Sequence, residues 1–228
     1  MSAIFVTATG TDIGKTFVTS GLIRAIRGNG KAAEALKPNV SGFSPATSAV
    51  SDPGVLLDAM GDGVTPEALD RVSPWRFGAP LSPDMAAARE GRSIDFDALV
   101  QFSMNGIARA RGTLLIEGVG GVMVPLDDRR TVLDWMKALR LPILLVTGSY
   151  LGTISHTLTA RDVLSRAGLT LRAIALNDSG DGAVPLSDTQ ATLQRFMAGV
   201  PIVTIPRVKS WLDARDTFLS LAELIEKT

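Results

Sequence analysis

The most pointed chemistry in the chain lies near its amino end, in Thr9-Gly10-Thr11-Asp12-Ile13-Gly14-Lys15-Thr16, set between an apolar run and a segment of helical period. A helix that begins at such a turn offers unpaired N–H groups and the positive end of its dipole to phosphate oxygens. Glycine lets the backbone come close, Lys15 can reach terminal phosphates, and the Thr16 hydroxyl suits Mg²⁺. The strict pattern G-x-x-x-x-G-K-[S/T] fails at its first position, where Thr9 replaces glycine and Gly10 comes one residue late. The strand before, the helix after and the lack of proline nevertheless make this a phosphate-binding segment.

Other candidates sit where apolar runs end. Glu117 follows Leu114-Leu115-Ile116 and opens Glu117-Gly118-Val119-Gly120-Gly121. An acid at a buried strand tip, with glycines keeping the space beside it open, is what magnesium–phosphate chemistry needs. Asp52 is a second acid of this kind, although Ser51-Asp52-Pro53 is equally a helix start. Lys37 precedes Pro38, which forces an extended bend. A lysine there could offset phosphate charge, but taken alone it reads as a surface residue. Asn177-Asp178 could read a base edge or simply make a turn. His156, early in a helix, reads as structural rather than catalytic.

These residues need elements to hold them. Ala3 to Val6 forms a strand, and Phe17, Val18, Leu22 and Ile26 share one face of a helix that stops at Gly28-Asn29-Gly30. Strand and helix then alternate: Ala32 to Leu36 (strand), a helix through Leu99 to Ile107, Leu114 to Ile116 (strand) and Val132 to Leu139 (helix). Ile143 to Val146, Leu171 to Leu176 and Ile202 to Ile205 follow as strands, with helices over 154–167, 186–197 and 217–225. Such alternation predicts an α/β fold with a mostly parallel sheet buried on both faces, and ligands at the carboxyl ends of its strands. Residues 43–93, rich in Pro, Gly and Ser, read as an excursion with one or two short helices inside a single domain spanning 1–228.

Composition narrows the chemistry. The 228 residues include 23 basic and 23 acidic side chains, so no charge excess draws the chain to nucleic acid. No cysteine is present, which excludes disulfides, thiolate metal sites and thiol nucleophiles and fits a cytoplasmic setting. One histidine excludes multi-histidine metal centres. The first basic residue is Lys15 and apolar runs are strand length, so neither a signal peptide nor a membrane span is expected.

Taken together, these segments resemble the dethiobiotin synthetase family along nearly the whole chain. The marks are Val6 through Thr16, Lys37-Pro38 with Ser41-Gly42, Ser51-Asp52, Glu117 through Gly121 with Pro125-Leu126, and Asp134-Trp135. Leu141-Pro142, Leu151-Gly152, Ile154 with His156, Ala167-Gly168-Leu169, Asn177-Asp178 and Ile205-Pro206 continue them. The family usually has Gly, Asp and Glu where this chain has Ala8, Gly10 and Asp12.

The resemblance implies a three-layer P-loop NTPase-type fold. It also implies ATP- and Mg²⁺-dependent ring closure of 7,8-diaminononanoate with CO₂, through a carbamate and its mixed anhydride with phosphate. Lys37, Lys15 and Thr11 would be catalytic, and Thr16, Asp52 and Glu117 would hold Mg²⁺. Nucleotide would contact Asp12, Ile13, Gly14, Lys15, Thr16 and Phe17, then Asp52, Glu117, Gly118, Val119 and Gly120. At the base end it would meet Asn177, Asp178, Pro206, Arg207 and Val208. Ser41 and Lys37 would meet the diamine. Leu151 and Gly152 would reach its carboxylate across a homodimer interface.

Three rivals are weighed against this, one of them a degenerate module that holds nucleotide without chemistry. Amidating synthetases with a similar deviant loop carry a glutaminase domain with a cysteine, and this chain has neither the length nor a cysteine. A nucleotide-switch ATPase of the partitioning type places a second lysine in the phosphate loop, where this chain has only Lys15.

Overall fold

The computed structural model describes residues 2–180 and 184–226. In chain order it contains β1 (Ser2–Ala8), α1 (Lys15–Gly28), β2 (Ala33–Leu36), β3 (Asn39–Ser41), α2 (Asp52–Met60) and α3 (Pro66–Val72). Next come β4 (Trp75–Phe77), α4 (Pro83–Arg89), α5 (Phe96–Arg109), β5 (Thr113–Glu117), α6 (Val132–Leu139) and β6 (Ile143–Gly148). The chain continues with α7 (Thr153–Arg166), β7 (Leu171–Asn177), α8 (Leu186–Phe196), β8 (Ile202–Ile205) and α9 (Arg215–Glu226).

Six strands form one parallel sheet in the order β2-β5-β1-β6-β7-β8. Its central strands are apolar because helices cover both faces; every residue of β5 and β6 is buried. The chain runs from β1 toward the β2 edge, returns to β5, and then builds outward on the other side from β6. That reversal places the ends of β1 and β5 at the point where parallel sheets open a crevice for ligand.

Packing fixes the helices. On α6, Trp135 meets Phe5 of β1 edge-on at 4.8 Å between ring centres and donates its indole N–H to Ser103 of α5 at 3.2 Å. Phe17 of α1 and Phe218 of α9 pair at 5.7 Å. Gly21 lets these two helices close up, since a Cβ there would press into the buried Phe218 ring. The predicted strands and helices are all present, with ends shifted by at most three residues. β6 runs on to Gly148, where Val146 was the expected end.

Residues 43–93 hold more structure than expected. Three α-helices, α2 to α4, lie there, preceded by a 3₁₀ turn at Pro45–Val50, and β4 within them pairs with β3 in a second parallel sheet. The elements escaped the reading because they are too short to show a period: β3 and β4 have three residues each and α3 and α4 have seven. Among the described residues no helix is long and apolar enough to cross a membrane.

Candidate active site

The loop between β1 and α1 turns through two left-handed residues, Asp12 (φ 56°) and Gly14 (φ 96°). Gly14 is the N-cap of α1, and a side chain there would meet the Asn177 amide as well as adopt a strained backbone. Asn177, at the end of β7, donates its side-chain N–H to the Ile13 carbonyl at 3.1 Å and so pins the loop to the sheet. Lys15 folds back over the loop, with Nζ 3.2 Å from the Gly10 carbonyl. Burial, and then the like charge of Lys37, pull its ammonium from 10.5 down to about 8.

Register builds the second half of the site. Leu36 of β2 lies beside Ile116 of β5, so the residues that follow them, Lys37 and Glu117, stand abreast where the two strands end. Glu117 is fully buried. Its Oε1 accepts from the Thr16 hydroxyl at 2.7 Å and from Lys37 Nζ at 2.8 Å. Lys37 also donates to the Gly118 carbonyl at 2.7 Å and lies 3.1 Å from Asp52 Oδ2. Burial by itself would lower the Lys37 pKa, but Glu117 and Asp52 outweigh it, so Lys37 is raised and stays charged. Burial likewise opposes the charge on Asp52, whose carboxyl is nonetheless lowered by Lys37 and the Thr16 hydroxyl.

The surface-lysine reading of Lys37 is therefore overturned, because only 1% of it is exposed. The helix-start reading of Asp52 holds, since Ser51 caps α2 by accepting from the Gly54 N–H, and the acid in that first turn pairs with Lys37. The oxygens of Thr16, Asp52 and Glu117 are hard donors, and Glu117 Oε2 is buried without a partner. No group of three acids or histidines suited to a metal occurs among the described residues. That donor set fits Mg²⁺, which takes one or two carboxylates and completes its shell with phosphate oxygens and water.

A cavity of about 700 Å³ opens over this cluster. Thr11, Asp12, Gly14, Lys15, Thr16 and Phe17 line it from the loop and α1; Lys37, Ser41 and Asp52 line it opposite, with Val119 and Gly120 beside them. Glu117 and Gly118 lie behind, through their bonds to Lys37. Not every expected residue joins this space. Asp178 and Arg207 line a neighbouring cavity of about 570 Å³ with Ser149, and Pro206 and Val208 line neither. Leu151 is 89% exposed, and with Gly152 it stands outside the cavity on this single chain. His156 is exposed and bonds the Tyr150 hydroxyl through Nδ1 at 2.9 Å.

Sequence reading missed one wall. Val40, Val50 and the run Pro80-Leu81-Ser82-Pro83 also line the cavity. The available signal was the paired prolines, which stiffen a segment without stating what it faces.

Known proteins resemble this chain in sequence and in fold. Residues 2–210 match a family model described as an AAA domain. The ATP-dependent dethiobiotin synthetase BioD of Acidiphilium cryptum (strain JF-5) is 49% identical over 218 residues, which cover 93% of this chain and 98% of that one. Its counterpart in Caulobacter sp. (strain K31) is 48% identical, covering 92% and 90%. Among solved structures, the cell division ATPase MinD of Pyrococcus furiosus superposes with a TM-score of 0.59 over 99% of both chains, at 19% identity. A ParA family ATPase from Chlorobium tepidum gives 0.55 at 12% identity, covering 99% and 92%. The solved structures share the fold of the phosphate-loop ATPases, and at nearly half of all positions identical over almost its full length, this chain belongs to the dethiobiotin synthetase family.

Proposed function

We propose that this chain closes the ureido ring of dethiobiotin from 7,8-diaminononanoate, CO₂ and ATP, with Mg²⁺ bound. One amine of the diamine adds to CO₂ and loses a proton, giving a carbamate. A carbamate oxygen attacks the γ-phosphorus of ATP, and the bond to the bridging oxygen breaks as ADP leaves. The second amine then attacks the carbamoyl carbon. The C–O bond to phosphate breaks, inorganic phosphate departs, the amine gives up its proton and the ring is closed.

Phosphoryl transfer between two anions is opposed by their charge, and enzymes meet this with positioning and fixed positive groups. The observation that carries the proposal is the buried ammonium of Lys37, facing the same cavity as Lys15 and held there by Glu117 and Asp52. Lys15 and the N–H groups at the start of α1 would grip the triphosphate, while Lys37 sits between it and a carbamate beside Ser41. Thr11, at the loop crest, would contact the transferring group. Mg²⁺, when bound through Thr16, Asp52 and Glu117, supplies further positive charge to the phosphate oxygens. Asn177, with Asp178 and Pro206 to Val208, would border the base. We take the chain to work as one domain over 1–228, in the cytoplasm, as a homodimer whose partner brings Leu151 and Gly152 to the substrate carboxylate.

Release of phosphate from ATP, followed with and without the diamine and bicarbonate, tests this reading. Turnover is expected only when both are present. A comparable rate without the diamine would overturn the proposal and favour a partitioning-type switch.

A further inference from the structure

Thr9 occupies the place where the phosphate-loop pattern has glycine, and the reaction proposed above gives it no task. Its backbone N–H donates to the Val146 carbonyl at 3.0 Å, and its hydroxyl turns away from the cavity toward the end of β6. Two hydroxyl arms run from there to α7. In one, Thr9 Oγ1 lies 3.2 Å from the Tyr150 hydroxyl, which lies 2.9 Å from His156 Nδ1. In the other, Thr9 Oγ1 lies 3.4 Å from Thr147 Oγ1, which bonds Thr153 at 2.8 Å and Thr157 at 2.7 Å. The second arm starts with a long contact, so Tyr150 makes the shorter link to the loop.

We propose that Tyr150 is a positioning residue that holds the phosphate loop through the Thr9 hydroxyl and couples it to the start of α7. The loop needs such a hold. Beyond Thr9 it must present the Gly10 carbonyl to Lys15 and carry Asp12 through a left-handed backbone, a conformation a non-glycine residue rarely adopts unaided. A loop fixed before nucleotide arrives binds it with less ordering cost than a loop that samples many paths. By reciprocity, nucleotide on the loop would steady the turn from Gly148 to Gly152, whose tip is the exposed Leu151. The inference rests on the nucleotide-binding reading of the cavity, though not on the identity of the substrate that nucleotide phosphorylates.

Tyr150→Phe keeps the ring and removes only the hydroxyl, and Thr9→Val removes the hydroxyl it meets. Titrating the full-length chain calorimetrically with Mg²⁺ and a non-hydrolysable ATP analogue, each variant should bind roughly 3- to 10-fold more weakly, the effect of one neutral hydrogen bond. The double variant should be no worse than either single one. In steady state Tyr150→Phe should raise KM for ATP by the same factor and leave kcat and the melting temperature unchanged, a split that loss of general stability would not produce. Wild-type affinity in Tyr150→Phe, or losses that simply multiply in the double variant, would overturn the coupling. If Thr9→Val does not fold, the KM-against-kcat split in Tyr150→Phe decides alone. Should the wild-type chain bind the analogue yet never form the ring, the proposed reaction falls while the affinity series still judges the tether.

Discussion

Glu117 keeps its place in the interior because Thr16 and Lys37 both donate to one of its oxygens. Removing one partner of a buried pair leaves the other uncompensated, which costs about 3–5 kcal/mol. Lys37→Met should therefore abolish ring closure and lower stability by that amount in urea unfolding. Combining it with Glu117→Gln should restore most of the stability and none of the activity. Lys15 is tuned differently. Its ammonium is charged below about pH 8 in the free enzyme and loses its proton above it. Bound phosphate favours the charged form, so ATP affinity should fall as pH rises past 8, by up to roughly tenfold per unit. Calorimetry between neutral and mildly alkaline pH checks this, and Lys15→Met should flatten the profile while costing about 1.5–3 kcal/mol of binding. Lys15, Thr16 and Glu117 were legible in the chain because each lies in a local motif. The burial of Lys37 was not, because the acid that holds it is 80 residues further on.

The helices and strands differ in what they ask of single positions. α1 lies close along α9, and that approach depends on Gly21 lacking a side chain. Phe218 is fully buried and cannot step aside. Gly21→Ala should thus destabilise the fold by about 1–3 kcal/mol, as overpacked cores do. Thermal denaturation should show the loss while KM for ATP stays at its wild-type value, since Gly21 lies well down the helix from the loop. Long periodic elements such as α5 and α7 could be read directly from their apolar spacing. The pieces between β3 and α4 could not, because their order comes from contacts with the sheet and with one another. Neither could Asn177 be told from an ordinary turn residue, since its bond to Ile13 spans 164 positions.

For the molecule as a whole, the alternation of strand and helix already implied a parallel sheet and hence an edge at which ligand would bind. What alternation cannot say is which loops meet over that edge. Anything that binds the folded chain alone stabilises it by mass action. Mg²⁺ and a non-hydrolysable ATP analogue at a hundred times Kd should add about 2.7 kcal/mol. For a chain of this length that moves Tm up by roughly 5–11 °C, readable by differential scanning fluorimetry. An unmoved midpoint would mean that the nucleotide does not bind at this edge.

The cavity has walls of two different origins. One is made by turns that leave the central sheet directly; the other, from Val50 to Asp52 and Pro80 to Pro83, comes from the excursion between β2 and α5. In the proposed reaction Asp52 of the excursion joins the turns of the sheet in the grip on Mg²⁺ and ATP, while Val50 and Pro80 to Pro83 would border the acceptor. Grafting a different excursion onto the same sheet should redirect the activated phosphoryl group to another molecule only if the graft keeps an acid where Asp52 meets Lys37.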